Sequence, residues 1–191
     1  MIATGCLLAF LLVAAVVDGR FGIIPNKLVY PGILFGLLIG AGVSLYSLGQ
    51  PEEFQVKEFW GWIGLGESLA GFLACGGVML VCFVLFAGQV GGGDVKLLAM
   101  IGTWWGVSRG LEAMLWTLVI GAVVAIVSLI WKLGTLQLLK RVWQGLTATW
   151  RTGGMISPDD RDRRLLRTPL RLAPSAVAAV LVVHFRLIEW W

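Results

Sequence analysis

Charge is scarce in this chain. Asp, Glu, Lys and Arg make up 14% of its 191 residues, whereas 58% are hydrophobic. With a mean hydropathy of +0.87, this balance excludes an ordinary soluble domain. Histidine occurs once, at His184; a lone imidazole cannot build a metal cluster and reads as structural. The three cysteines, Cys6, Cys75 and Cys82, lie inside apolar runs and form no C-x-x-C pair. That excludes a zinc ribbon and a disulfide framework and leaves them as small packing residues. H-E-x-x-H is absent, and no serine is paired with the histidine. No small-residue cleavage site follows the first apolar run. Met1–Val17 leads straight into Asp18-Gly19-Arg20, so the run is expected to remain as a span.

What is present is a series of apolar runs approaching the ~20 residues that a spanning helix needs. The expectation is an all-α polytopic membrane bundle of about six transmembrane helices, at roughly 2–17, 28–48, 68–87, 95–107, 112–131 and 172–189. Residues 1–191 then form a single integral membrane domain. With the Asp18 end of the first span in the cytoplasm, Arg20, Lys27, Lys96 and the nine basic residues from Lys132 to Arg171 fall on that side. Lys57, Arg109 and Arg186 fall outside. Twelve against three is a strong positive-inside bias, so both termini are expected outside the inner (plasma) membrane. Tryptophan agrees: Trp60, Trp62, Trp104, Trp105, Trp190 and Trp191 land at outer boundaries and Trp131 at an inner one, and all are read as headgroup anchors. The net charge of +4 is concentrated in cytoplasmic loops and accompanies no nucleic-acid motif, so it reads as topology.

The 133–171 segment is expected to be a cytoplasmic loop. Within it Leu136, Leu139, Trp143, Leu146 and Trp150 follow a three–four spacing, the stripe of an amphipathic helix lying in the interface. Pro158 to Arg164 then alternates charges as a solvated turn.

Two aspartates stand out against this background. Asp18 precedes Ile24-Pro25-Asn26, and Asp94 closes Gly91-Gly92-Gly93-Asp94. A carboxylate at bilayer depth costs roughly 2.5–3.5 kcal/mol on insertion scales, less near the interface. Span parity places both on one face: the chain leaves through span two, returns through span three, and Asp94 begins span four. Span four covers only ~20 Å of a ~30 Å core. The glycine turn is therefore expected to enter the membrane as irregular backbone lining a wet cavity, with Asp94 at the helix start. Two carboxylates a few ångströms apart cannot readily carry two charges and hold one proton between them. One then acts as base on a water and the other as acid toward a carbonyl, with no metal, cofactor or nucleophilic side chain. Pro25 and Asn26 cap the first cytoplasmic turn and begin span two. Lys96 either biases the charge of the site or snorkels to anchor span four.

These residues carry a family likeness. Asp18 followed by Ile24-Pro25-Asn26 resembles the first signature of the type IV prepilin peptidases. Gly91-Gly92-Gly93-Asp94-Val95-Lys96 resembles their second, G-x-G-D-x-K, and Pro169 to Ala176 is similar to the proline-containing start of their last span. The likeness covers nearly the whole chain in order and spacing. It implies a membrane-embedded aspartic endopeptidase that removes the basic leader from prepilin and pseudopilin precursors at the cytoplasmic membrane face. Asp18 and Asp94 stand at the positions of the family's catalytic pair, with Gly91, Gly93, Lys96, Pro25 and Asn26 shaping the site. The chain departs from the long members, which carry an N-terminal insertion with two C-x-x-C pairs. It resembles the short tight-adherence-type or archaeal-type members, which argues against N-methyltransferase activity. The implied partners are precursor substrates and the lipid bilayer, with no nucleic acid.

Two other classes compete. A small proton- or cation-coupled transporter would use Asp94 at a glycine-broken helix, but such sites lie near mid-membrane and no inverted repeat is visible. A non-catalytic assembly factor would tolerate Asp→Asn at both positions.

Overall fold

A computed structural model describes residues 2–49, 61, 63–86, 91–133 and 172–185. Five helices occur among them, and no strand: α1 (Ile2–Phe21), α2 (Asn26–Gly49), α3 (Leu65–Leu85), α4 (Gly92–Leu133) and α5 (Leu172–His184). The first four are long and apolar enough to cross a membrane, and α5 is a shorter apolar helix. The all-α membrane bundle is as expected, with five separate helices among the described residues where six spans were expected.

The difference in number lies in α4. Its 42 residues include Gly106 at φ 75, ψ −168, a region that only glycine occupies comfortably. In a straight helix residues 102 and 110 would stand ~12 Å apart. Here a Cβ on Gly110 would lie 2.9 Å from the Gly102 Cα. The chain therefore folds back at Gly106, and the expected span at 95–107 and the start of that at 112–131 are joined in this one element. From Gly121 the helix belongs to a second unit, Gly121–Leu170; within it Val123, Val124, Ile126, Val127 and Trp131 are exposed. The expected cytoplasmic loop and its amphipathic helix lie outside the described residues.

In the first unit, Met1–Ile120 with Arg171–Trp191, side-chain spacing sets which face of each helix turns inward. Ala3, Leu7, Leu11, Ala14 and Asp18 are the buried stripe of α1, at the three–four spacing of one helical face. On α4, Leu97, Leu98, Met100 and Ile101 are buried. α2 and α4 run parallel, as successive contacts show. Ile24, just before α2, meets Gly93; Gly32 meets Met100; Gly36 meets Thr103 and Trp104. α3 runs antiparallel to both, with Ser44 Oγ accepting from the Leu65 amide at 2.8 Å and Gly76 against Ala99. The closest approach is backbone on backbone. A Cβ on Gly71 of α3 would strike the Gly102 carbonyl and reach the Gly106 Cα at 2.7 Å. The Ser68 hydroxyl donates to the Thr103 carbonyl across the same seam.

One expectation is corrected here. Trp104 and Trp105 are not headgroup anchors: they are 3% and 8% exposed. The Trp104 Nε1–H donates to the Gly32 carbonyl at 2.9 Å, which satisfies the indole's polar edge inside the bundle. Trp60, Trp62, Trp190 and Trp191 lie outside the described residues. By contrast Leu34, Leu38 and Leu45 of α2 and Leu73, Leu80 and Val84 of α3 are exposed, an apolar outer surface suited to lipid.

Candidate active site

Asp18 is the last member of the α1 core stripe, so helical periodicity turns its carboxylate inward. It lies inside the helix, which continues to Phe21, rather than at its end. It is 4% exposed. Beyond it the Gly22 amide closes the helix on the Asp18 carbonyl at 2.9 Å, with Gly22 at φ 65, the left-handed conformation common just past a helix C-terminus. The Asp18 Oδ2 accepts from the Ala173 amide at 3.3 Å. Ala173 is in the first turn of α5, where backbone N–H groups have no intrahelical acceptor. Pro174, next in sequence, is tolerated there for the same reason.

Asp94 is 8% exposed and sits in the first turn of α4. Its amide donates to the Gly91 carbonyl at 3.0 Å, and its carboxylate folds back to hydrogen bond with the Gly91 backbone. A Cβ on Gly91 would stand 2.8 Å from Oδ2, so a side chain there would displace the carboxylate. Gly92 and Gly93 are helical, which corrects the expectation of irregular backbone through the whole glycine run; residues 87–90 lie outside the description. Gly93 is pressed against Ile24, with a virtual Cβ 3.0 Å from the Ile24 Cβ. The two carboxylates, from α1 and α4, are close enough to act on each other electrostatically.

Around this pair, the Pro25 carbonyl accepts from the Leu28 and Val29 amides at 3.0 and 3.4 Å, starting α2. Lys96 Nζ donates to Asn26 Oδ1 at 3.0 Å and stands 5.0 Å from the centroid of the Tyr30 ring. Asp18, Asp94, Gly91, Gly93, Pro25, Asn26 and Lys96 are thus gathered at one end of the first unit. His184 is at the far end of α5, against the Phe185 ring. Among the described residues no group of three His, Cys, Asp or Glu could hold a metal ion.

Residues 5–126, well over half of the chain, match the family model described as the type IV leader peptidase family. The chain belongs to that family. It is also 33% identical over 115 residues to the prepilin leader peptidase/N-methyltransferase of Bacillus subtilis (strain 168). That match covers 60% of this chain and 40% of the relative, so the chain spans well under two thirds of that protein's length. No solved structure matches the chain. Both aspartates fall within the span shared with the leader peptidase family. Two contributors escaped the sequence reading, Tyr30 and the Ala173 amide, and Ile24 entered it only as part of the first motif, without its contact to Gly93. Pro174 just inside a helix start was the available signal for Ala173. Four-residue spacing was the signal linking Tyr30 to Asn26.

Proposed function

We propose that this protein is a membrane-embedded aspartic endopeptidase that cleaves the leader from prepilin-like precursors. The observation that carries the reading is that Asp18 and Asp94, two buried carboxylates from different helices, are close enough at one end of an apolar bundle to act on each other electrostatically. Membership of the leader peptidase family supports the same conclusion. In the proposed reaction one carboxylate takes a proton from a water as its oxygen bonds to the scissile carbonyl carbon. The other, protonated, gives its proton to the carbonyl oxygen. Collapse of the tetrahedral intermediate breaks the C–N bond, and the leaving amine receives a proton from the pair. The Ala173 and Gly91 backbones hold the two side chains while protons move, which favours a fixed geometry over side-chain search. Methyl transfer is not part of the proposal.

The positive-inside bias further supports a site facing the cytoplasm, in one integral membrane domain with both termini outside. A cysteine at Ser157 is expected to resist a membrane-impermeant thiol reagent in intact cells, and labelling there would reverse the orientation. The activity itself is tested by co-expression with candidate prepilins encoded nearby. Leader removal, read as a gel shift, is the expected result; unprocessed precursors throughout would defeat the peptidase reading.

A further inference from the structure

We propose that Lys96 is a positioning residue: by bridging Asn26 and Tyr30 of α2 it holds the 22–25 linker against Gly93 and so sets the placement of Asp94 relative to Asp18. The inference rests on the peptidase reading for its rate measurements but not for its structural one.

Helical geometry separates Lys96 from the carboxylate it follows. Two residues are ~200° of turn, so the side chains of Asp94 and Lys96 leave opposite sides of α4. Three residues bring Gly93 and Lys96 onto one face, and that face meets α2. Gly93 touches Ile24, Lys96 reaches Asn26, and Met100, one turn on, meets Gly32. Asn26 and Tyr30 are likewise one turn apart, so a single ammonium engages both, one through a hydrogen bond and one through the ring face. This is a side-to-side tie between two parallel helices.

The tie matters because of what adjoins it. Ile24 is buried and sits midway between Gly22, which closes α1 just beyond Asp18, and Asn26, which opens α2. Gly93 precedes Asp94 directly. Their contact is therefore the short mechanical link between the two aspartates along the chain. It has no side chain on the α4 side to interlock, and the contacts of Gly32 with Met100 and Trp104 lie one turn or more beyond it. The bridge from Lys96, three residues along the same face, is the side-chain tie nearest to it.

The test uses the full chain in detergent or nanodiscs, with precursor cleavage and amide hydrogen exchange measured in parallel. Lys96→Met should lower kcat ~10–100-fold, the scale of a ~1 Å misplacement, with KM unchanged. Exchange should quicken at residues 22–29 and 91–97 while α3 is unaffected. Lys96→Arg, whose guanidinium can keep both contacts, should restore most of the rate. Lys96→Met with Asn26→Leu should be no worse than the poorer single variant, since one bridge is lost either way. A raised KM with kcat unchanged would overturn the proposal by placing Lys96 on the substrate. Unchanged exchange at 22–29 and 91–97 would also overturn it, whatever the rates. If the wild-type protein cleaves no precursor, the peptidase reading fails, and the exchange comparison alone decides whether the bridge holds the linker.

Discussion

The two ends of the first arm of α4 are built in opposite ways. At its start, polar groups are accommodated one by one: buried Asp94 by the Gly91 backbone, buried Asp18 by the Ala173 amide, half-buried Lys96 by Asn26 and Tyr30. At its other end, near Gly102 and Gly106, glycines let backbone meet the backbone of α3 at Gly71. In a bilayer, where burial of apolar surface gives no net gain between helices, close packing of small residues is a main source of association. The first region is thus organised for chemistry at some cost in stability, and the second for stability with no chemistry at all. Substitutions should separate the two.

The largest effect is expected at the carboxylates. Asp18→Asn and Asp94→Asn keep shape and hydrogen-bond acceptors, so the Ala173 and Gly91 contacts can persist, but neither carboxamide can exchange a proton with water. Cleavage should fall by at least ~100-fold, the lower range for losing a general acid or base, with the double variant little worse than either single one. Asp→Glu should fail as well, because one more methylene moves the carboxylate by ~1 Å. Melting in detergent should stay near wild type, since removing a buried like-charge pair relieves repulsion. Precursor-to-mature conversion at matched protein level is the measurement; substantial turnover by either Asn variant would remove the pair from the mechanism.

How far the sequence revealed each region follows from the same contrast. Asp18 was legible because its motif with Ile24-Pro25-Asn26 and span parity both act through side-chain identity; the Ala3-Leu7-Leu11-Ala14 stripe that turns it inward emerged only with the structure. The fold-back of α4 was legible as a gap between two apolar runs. Its pivot at Gly106 was not, because Arg109 and Glu112 drew the boundary outward while the actual constraint is a backbone torsion. Gly102, Gly106 and Gly110 at four-residue intervals are a small-residue signal that marks close helix approach. The Ala173 amide left no mark of its own, since every residue but proline carries that donor. Trp104 was misplaced because an indole suits both an interface and a buried site with a carbonyl partner, and composition does not choose between them.

The next effect concerns stability. Gly71→Ala puts a methyl into the Gly102 carbonyl and within 2.7 Å of the Gly106 Cα. These are backbone atoms, so neither neighbour can swing away as a flexible side chain would. Overpacking of this kind costs ~1–3 kcal/mol, and Gly106→Ala should cost a similar ~1–3 kcal/mol through its torsion. Both should lower the melting temperature and folded yield in detergent. Activity per folded molecule should hold, because the seam lies ~12–18 Å along α4 from Asp94. A Gly71→Ala protein that melts normally would mean that α3 and α4 are held by something other than this contact.

The smallest effect is expected at Trp104, which sits on the packing side of the comparison although it carries a polar group. Trp104→Phe removes the Nε1–H that donates to the Gly32 carbonyl but keeps an aromatic ring beside Phe10, whose centroid is 6.2 Å away. Gly32 is inside α2, where its carbonyl also serves the helical ladder, so the loss does not strand a buried acceptor. The cost should be that of one hydrogen bond, about 1 kcal/mol, plus a small packing loss where the indole was larger. Melting temperature should therefore fall slightly, while kcat and KM of precursor cleavage stay at wild-type values. Loss of cleavage with normal melting would extend the reactive region well beyond Asp94, and the division between a chemical end and a packing end of this helix would no longer hold.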